Sequence, residues 1–597
     1  MSKTAVVDYP ARIALLQKRM KALGLDGYIV PRYDAHQGEY VADHDARLAW
    51  LTGFTGSAGM ALITADLAAM FVDGRYTVQV RNQCPHPVFE HHHFFDDPID
   101  LWLAKHMQHG QSIGFDAMLL PPNWHRRFAK AAEAAGAQLI AIEHNPVDAI
   151  WTDQPPPPLG RITAFALQFA GRSFTEKRTE LLDQMRVLGA QHCVETQPDN
   201  IAWFLNVRGN DVAYNPIPHS FLLIDKAGAT SWFVDSRKLD SALLESLPEG
   251  LSVYEPAAFL RNLGAAVNPG DKVMLDPDFS PVAALLAVDQ AGGKPLEQRS
   301  PITLTKACKN RTELSGLRDC HVEDGIAWVQ FSEWLAKTVP ERAALGNPVS
   351  EHEAEEKMLA FRQMRPGFIY DSFNPISAAA GNAAMCHYAT SATSNAPILP
   401  QSPYLLDSGG QYETGTTDAT RSFAFGQRPE GYDRAYTAVF KAFVALATLR
   451  FPKGTQGHHI DAICRRPLWD LGMDYDHGTG HGIGHSLSVH EQPQRIGKPY
   501  NPVDLKPGMV MSIEPGHYLA EVYGIRIENL FEIVEAEDGY MEFANLTLIP
   551  IQTEMLQVPM LSQAERLWLN SYHAEVFKIC SQRIGASEWL AQACAPI

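Results

Sequence analysis

One part of this chain is written twice. ARLAWLTGF (Ala46–Phe54) returns as DNIAWFLNVRG (Asp199–Gly209), and AAMFVDGRY (Ala68–Tyr76) returns as TSWFVDSRKL (Thr230–Leu239). Trp50 answers to Trp203 and Phe71 to Phe233; the second pair lies further apart, so the second copy carries an insertion. Each copy reads as strand, turn, strand: an apolar run, a turn with acidic and basic residues, then β-branched or aromatic positions. A repeated unit of this size implies two related α/β domains before the rest of the chain begins.

QPPPPLG (Gln154–Gly160) marks the seam between the copies. Four successive prolines favour an extended, stiff spacer. At about 150 residues per domain, 597 residues make three or four domains. The expected boundaries are 1–153 and 154–312 for the two copies, 313–540 for a larger third domain and 541–597 for a C-terminal extension. A helix is expected over Arg311–Val339, where Leu314, Leu317, Val322, Ile326, Val329, Phe331 and Leu335 recur near a 3.6-residue period. The tail from Leu561 is helix-like again.

The formal net charge is -18 and no block of lysine and arginine interrupts it, which argues against nucleic acid and anionic membrane as partners. No apolar run reaches the ~18 to 20 residues that span a bilayer. The amino-terminal stretch MSKTAVVDYPARIALLQKRM lacks the apolar core of a secretion signal. Eight scattered cysteines without a CxxC pair fit reduced thiols, so a cytoplasmic location is expected.

HGTGHGIGHSLSVHEQP (His477–Pro493) sets four histidines on a glycine-rich backbone. Each interior glycine costs a helix about 1 kcal/mol relative to alanine, so an irregular or extended segment is expected. The partners of those histidines lie elsewhere. In SPYLLDSGGQYETGTTDATRSFAFG (Ser402–Gly426), YLLD is a short strand ending at Asp407, SGGQYETGTT is turn chemistry, and a second strand returns from Asp418. Two apposed carboxylates in an apolar setting need a proton or a cation between them, although aspartate is also an ordinary turn residue. GMVMSIEPGHYL (Gly508–Leu519) is a strand ending at Glu514, and Pro515 biases Glu514 to an extended backbone. YGIRIENLFEIVE (Tyr523–Glu535) alternates, with Arg526 and Glu528 on one face of a half-buried strand, where they could pair with each other. Taken together, two aspartates, two glutamates and a histidine can belong to one site. Oxygen-rich ligation with one imidazole suits Mn²⁺, with Co²⁺ or Zn²⁺ as alternatives. Two such ions would hold a bridging hydroxide and polarise a carbonyl.

At these residues the sequence resembles the pita-bread metallopeptidases, the group of methionine aminopeptidase, prolidase, aminopeptidase P and creatinase. The resemblance implies Asp407, Asp418, His481, Glu514 and Glu528 as metal ligands. DAHQGEYVADHDARLAWLTGFTGSAG, WTDQPP, LNVRGNDVAYNP, HGTGHGIG, GIRIEN, LTLIPIQTEM and WLNSYH extend it over the whole chain, to the long, three-domain cytosolic Xaa-Pro aminopeptidases. It implies two creatinase-like α/β domains, a pita-bread catalytic domain with a C-terminal extension, two Mn²⁺ ions and a homodimer. His387, His477 and His490 match the family's non-ligand active-site histidines, and Arg526 the arginine of its proline-directed branch. Gln492 stands where glycine is usual and His517 where tyrosine is commoner, both near the expected pocket; His485 is extra and has no assigned role.

The implied substrates are peptides with proline second, whose scissile bond has no N–H. In the expected mechanism Glu514 shuttles the proton, His477 and His387 donate to the oxyanion and peptide, His490 positions the residue after the bond, and Arg526 orients the ligand carboxylates. The alternatives are a prolidase, restricted to dipeptides, and a non-catalytic binding protein on the same fold.

Overall fold

The structure is a computed structural model describing residues 8–385 and 387–597. The first seven residues of the amino-terminal stretch, and Cys386, lie outside the described residues. The chain forms two compact units: Met1–Phe165 with Arg172–Ile302, and Ala166–Gly171 with Thr303–Ile597.

The first unit carries the duplication as two six-stranded sheets of identical topology. In edge-to-edge order the first runs Glu90–His93, Ala68–Val72, Gly59–Thr64, Gly27–Pro31, Ser112–Asp116, Gln138–Ile142. The second runs Leu251–Tyr254, Thr230–Phe233, Phe221–Asp225, His192–Glu195, Lys272–Leu275, Lys294–Glu297. In both, the second, third and fourth strands in this order pair antiparallel and the other pairings are parallel. Strand alternation buries both faces of the first sheet: Tyr28, Val30, Ile63 and Met70 pack on one side, Ile29, Leu62 and Phe71 on the other.

One expectation is corrected here. The AWL and AWF runs are short helices, Arg47–Thr52 and Pro198–Leu205, rather than strands. Their apolar residues follow a turn, and each helix stops at a left-handed residue, Gly53 (φ 83°) or Asn206 (φ 54°). The strands of the repeat are the AMFV and SWF runs that come next. The insertion in the second copy is the strand Val207–Arg208, paired with Thr163–Ala164, and the loop after it.

The longest helix of the second unit is Arg311–Ala344. Asn310 caps it and Glu313 reaches back to the Asn310 N–H, a reciprocal capping box. Leu317, Ile326, Val329, Phe331 and Leu335 form its buried face. A six-stranded sheet, Arg450–Pro452, Tyr540–Asn545, Asn529–Glu535, Val510–Ile513, Gly480–Gly482, Glu491–Ile496, packs with the helices Tyr432–Ala447, Gly457–Trp469 and Gln563–Ile584 around one large core. A three-stranded sheet, Ile376–Ala379, Tyr404–Asp407, Thr420–Phe423, lies in the same unit. The SGGQYETGTT segment, expected to be turn throughout, contains a small hairpin in which Gln411 pairs Thr416 and Tyr412 pairs Gly415, because Tyr412 is buried against Phe368. The described cysteines are free thiols, and among the described residues no helix is long and apolar enough to cross a membrane.

Candidate metal centre

Asp407 closes the strand Tyr404–Asp407 and pairs in register with Thr420 on the returning strand, so Asp418 comes back beside it. His481 is the central residue of Gly480–Gly482, held between two longer strands. The glycines answer to that close fit: a Cβ on Gly480 would lie 2.0 Å from the Ser512 carbonyl. Glu514 follows the strand Val510–Ile513, and its N–H donates to Thr479 O at 2.9 Å.

Glu528 departs from the expected picture. The alternating run is not one half-buried strand. Tyr523–Arg526 pairs with Gly516–Leu519, whereas Asn529–Glu535 joins the large sheet, and the chain changes sheets at Ile527 and Glu528. Both faces are covered there, leaving Glu528 1% and Arg526 3% exposed. Glu528 therefore does not pair with Arg526 across a solvated face. It accepts a hydrogen bond from Thr420 (2.7 Å), while Arg526 reaches Asp407 (2.5 Å).

These side chains converge. Asp418, His481 and Glu528 each offer one ligand atom within 4.8 Å of the others. His481 Nε2 lies 3.5 Å from Asp418 and 3.5 Å from Glu514. Its Nδ1 lies 3.0 Å from the Gly482 carbonyl, which leaves Nε2 to face the carboxylates. Asp407 joins through Arg526.

Four carboxylates thus share a buried space with one guanidinium and one imidazole. Burial and the neighbouring Asp418 and Glu514 charges raise the Asp407 carboxyl to about 7, against the pull of Arg526. Glu528 rises well above the usual range through burial and three carboxylate neighbours, and Glu514 is raised mainly by burial. Burial works against the His481 imidazolium, but Asp418 and Glu514 outweigh it and bring that group to about 9. Such a cluster must bind either protons or cations. Asp407 Oδ1 and Asp418 Oδ1 are buried and accept no hydrogen bond, as oxygens kept for a cation would be. The donor set, oxygen-rich with one imidazole, fits divalent ions.

Around the cage, Arg526 Nη1 donates to Tyr518 Oη (2.7 Å) and its Nε to Thr420 Oγ1 (3.1 Å). Tyr518 Oη in turn lies 2.8 Å from His477 Nε2, and His477 Nδ1 is 2.7 Å from the Gly478 carbonyl. Both ring nitrogens of His477 are thus engaged within the protein. His490 stands edge-on to His481, ring centroids 4.3 Å apart. His387 is half-buried in the loop after the Asn382–Ala384 turn, which packs on the strand Tyr523–Arg526. Tyr518 is the residue that sequence reasoning missed. The signal was one position away: His517 was singled out, but on a strand neighbours face opposite ways, and His517 turns toward Tyr523 while Tyr518 meets Arg526. Gln492 is exposed, and His485 is buried, with its Nε2 near Gly316 of the long helix.

One further side chain fastens this region. Arg421, 1% exposed, donates to the carbonyls of Glu528 (2.7 Å), Thr420 (2.8 Å), Ile549 (2.8 Å) and Pro550 (3.1 Å), to Asn529 Oδ1 (2.7 Å) and to Tyr572 Oη (3.0 Å) on the helix Gln563–Ile584.

The family models that match are Creatinase/Prolidase N-terminal domain over residues 12–149 and again over 153–313, Metallopeptidase family M24 over 316–535, and C-terminal region of peptidase_M24 over 539–597. Relatives described as probable Xaa-Pro aminopeptidase P are 34% identical in Ajellomyces capsulatus, covering 99% of this chain and 100% of that one, and 36% identical in Neurospora crassa, covering 100% and 90%. The crystal structure of X-prolyl aminopeptidase from Caenorhabditis elegans, a cytosolic enzyme with a di-nuclear active site, superposes with a TM-score of 0.94. It is 32% identical and covers 99% of this chain and 100% of that one. A prolidase from Thermococcus sibiricus shares the fold at 21% identity and a TM-score of 0.52, covering 64% of this chain and 98% of that one.

Proposed function

The chain belongs to metallopeptidase family M24, in its Xaa-Pro aminopeptidase P branch, and from that membership we infer that it releases the N-terminal residue from peptides with proline in second position. The observation that carries this reading is likeness along the full length of the chain to that branch, joined to a buried carboxylate cage in which Asp407 Oδ1 and Asp418 Oδ1 accept no hydrogen bond.

Asp407, Asp418, His481, Glu514 and Glu528 are the proposed ligands of two divalent ions, with Mn²⁺ first on donor chemistry and Co²⁺ and Zn²⁺ as competitors. When bound, the pair supplies a water ionised at neutral pH and polarises the scissile carbonyl. Glu514 would receive the proton of that water and pass it to the imide nitrogen that leaves. Arg526 fixes the Asp407 carboxylate, and Tyr518 links Arg526 to His477. His477, proposed as donor to the oxyanion, is also tied through Tyr518 to Arg526. His490, beside His481, positions the residue after the bond, and His387 remains the proposed peptide donor. The seams near 153, 312 and 540, a homodimer and a cytosolic location, the last as in the Caenorhabditis elegans relative, complete the proposal.

The test is release of the first residue from Arg-Pro-Pro and from Ala-Pro by chelator-stripped protein resupplied with Mn²⁺, Co²⁺ or Zn²⁺. Cleavage of the tripeptide is expected, fastest with Mn²⁺. Cleavage of Ala-Pro alone would make the protein a prolidase. Neither cleavage nor metal uptake would make it a binding protein.

A further inference from the structure

A second cluster of ligand-type side chains lies in the first unit, where the two repeats meet. Asp34, Asp45 and His219 each offer one ligand atom within 4.8 Å of the others. Asp34 follows the first strand of the first repeat, Asp45 sits in the short turn Asp43–Asp45, and His219 comes from the inserted loop of the second repeat.

The two aspartates are prepared in the same way. Asp34 is 1% exposed, and its Oδ1 accepts from the N–H groups of His36 (2.9 Å) and Gly38 (3.0 Å). Its Oδ2 is buried, accepts no hydrogen bond and lies 3.4 Å from His219 Nε2. Asp45 Oδ1 accepts from Arg47 Nη1 (3.0 Å). One oxygen of each carboxylate is thus anchored within the protein, as outer-shell bonds anchor the carboxylates of metal sites.

The local charges do not cancel. Arg47 is held by Asp148 through two hydrogen bonds, Nε to Oδ1 at 2.7 Å and Nη2 to Oδ2 at 3.0 Å. Lys238 is paired with Asp211 at 2.6 Å, and Asp211 also accepts the His219 N–H at 2.7 Å. Arg32, whose charge also reaches Asp34, turns its Nε to the Gly56 carbonyl at 3.0 Å. His36 packs its ring on His219, centroids 4.7 Å apart, and on Phe221, and His44 Nδ1 lies 2.7 Å from the Pro155 carbonyl. Set against Arg47, Lys238 and Arg32, the carboxylates Asp34, Asp45, Asp148 and Asp211 leave a net negative charge beside the imidazole. Two carboxylates and one histidine are a donor set for a divalent ion of the Zn²⁺ or Mn²⁺ class, with water completing the shell.

We propose that Asp34, Asp45 and His219 form a further divalent-cation site that cross-links the two N-terminal repeats. It is independent of the reading of the cage, and the test separates them by position. Full-length protein is stripped with a chelator, saturated with Zn²⁺, crystallised and mapped by anomalous diffraction at the zinc edge, with bound metal counted in parallel. A peak among Asp34, Asp45 and His219 is expected, together with one more equivalent per chain than the cage holds. His219→Ala should lose that equivalent alone, with peptide hydrolysis unchanged. A filled cage with no density among the three, or an extra equivalent that survives His219→Ala, overturns the proposal. If the variant does not fold, the map of the unaltered protein still decides.

Discussion

Loading the cage with metal should release protons. In metal-free protein at pH 7, His481 is protonated because its group titrates near 9 and Asp407 near 7 is half so, while burial and three carboxylate neighbours push Glu528 toward its protonated form. The ligands must be deprotonated to bind, so His481 and Asp407 alone release between one and two protons per chain at pH 7, and affinity rises more than roughly tenfold per pH unit. Stability of the metal-free protein carries the same signature. The raised Asp407 makes the folded state the better proton binder between its ordinary 3.8 and about 7, so stability falls as pH rises through that window. The raised His481 adds stability that is complete below 6.5 and is lost as pH rises through about 9. Both act in one direction, and a tenfold change in proton affinity is ~1.4 kcal/mol, so the sum reaches several kcal/mol. Calorimetric titration of Mn²⁺ into stripped protein, in buffers of different ionisation enthalpy, measures the protons directly. Binding without proton release, or affinity that is flat between pH 6 and 8, would refute the argument.

Asp418→Asn and Glu514→Gln should each abolish hydrolysis; near-normal turnover with metal content preserved would remove them from the site. Tyr518→Phe breaks the link between His477 and Arg526 and should lower kcat roughly 10- to 100-fold, the range for an outer-shell partner, with metal content unchanged. Glu491 is buried against both Lys306 (3.0 Å) and Lys309, so Glu491→Gln leaves two ammonium groups without their counter-charge. A loss of about 3–5 kcal/mol in denaturant unfolding is expected; a loss below about 1 kcal/mol would show that the lysines find other partners or solvent.

The duplication was legible because it is a pattern of whole segments, and the matching strand orders bear it out. Its first segment differs from the expectation: AWL and AWF have the apolar content of a strand, yet each belongs to a short helix that ends at a left-handed residue, Gly53 or Asn206. The carboxylates could be picked out because their motifs are local. Their burial could not, since Glu528 and Arg526 alternate as a half-exposed strand would, and only the change of sheets at Ile527 covers both sides. Tyr518 had no motif of its own, and its role comes from a hydroxyl meeting groups on other segments.

Arg421 has a bearing on how this protein tolerates shortening. No residue after Glu528 is assigned to the reaction, so the helix Gln563–Ile584 could be taken for a dispensable appendage. Yet the same guanidinium grips the backbone at Glu528 and the phenol of Tyr572. A chain clipped before that helix would retain every proposed ligand and still lose one anchor, the Tyr572 phenol, of the guanidinium that holds the Glu528 backbone.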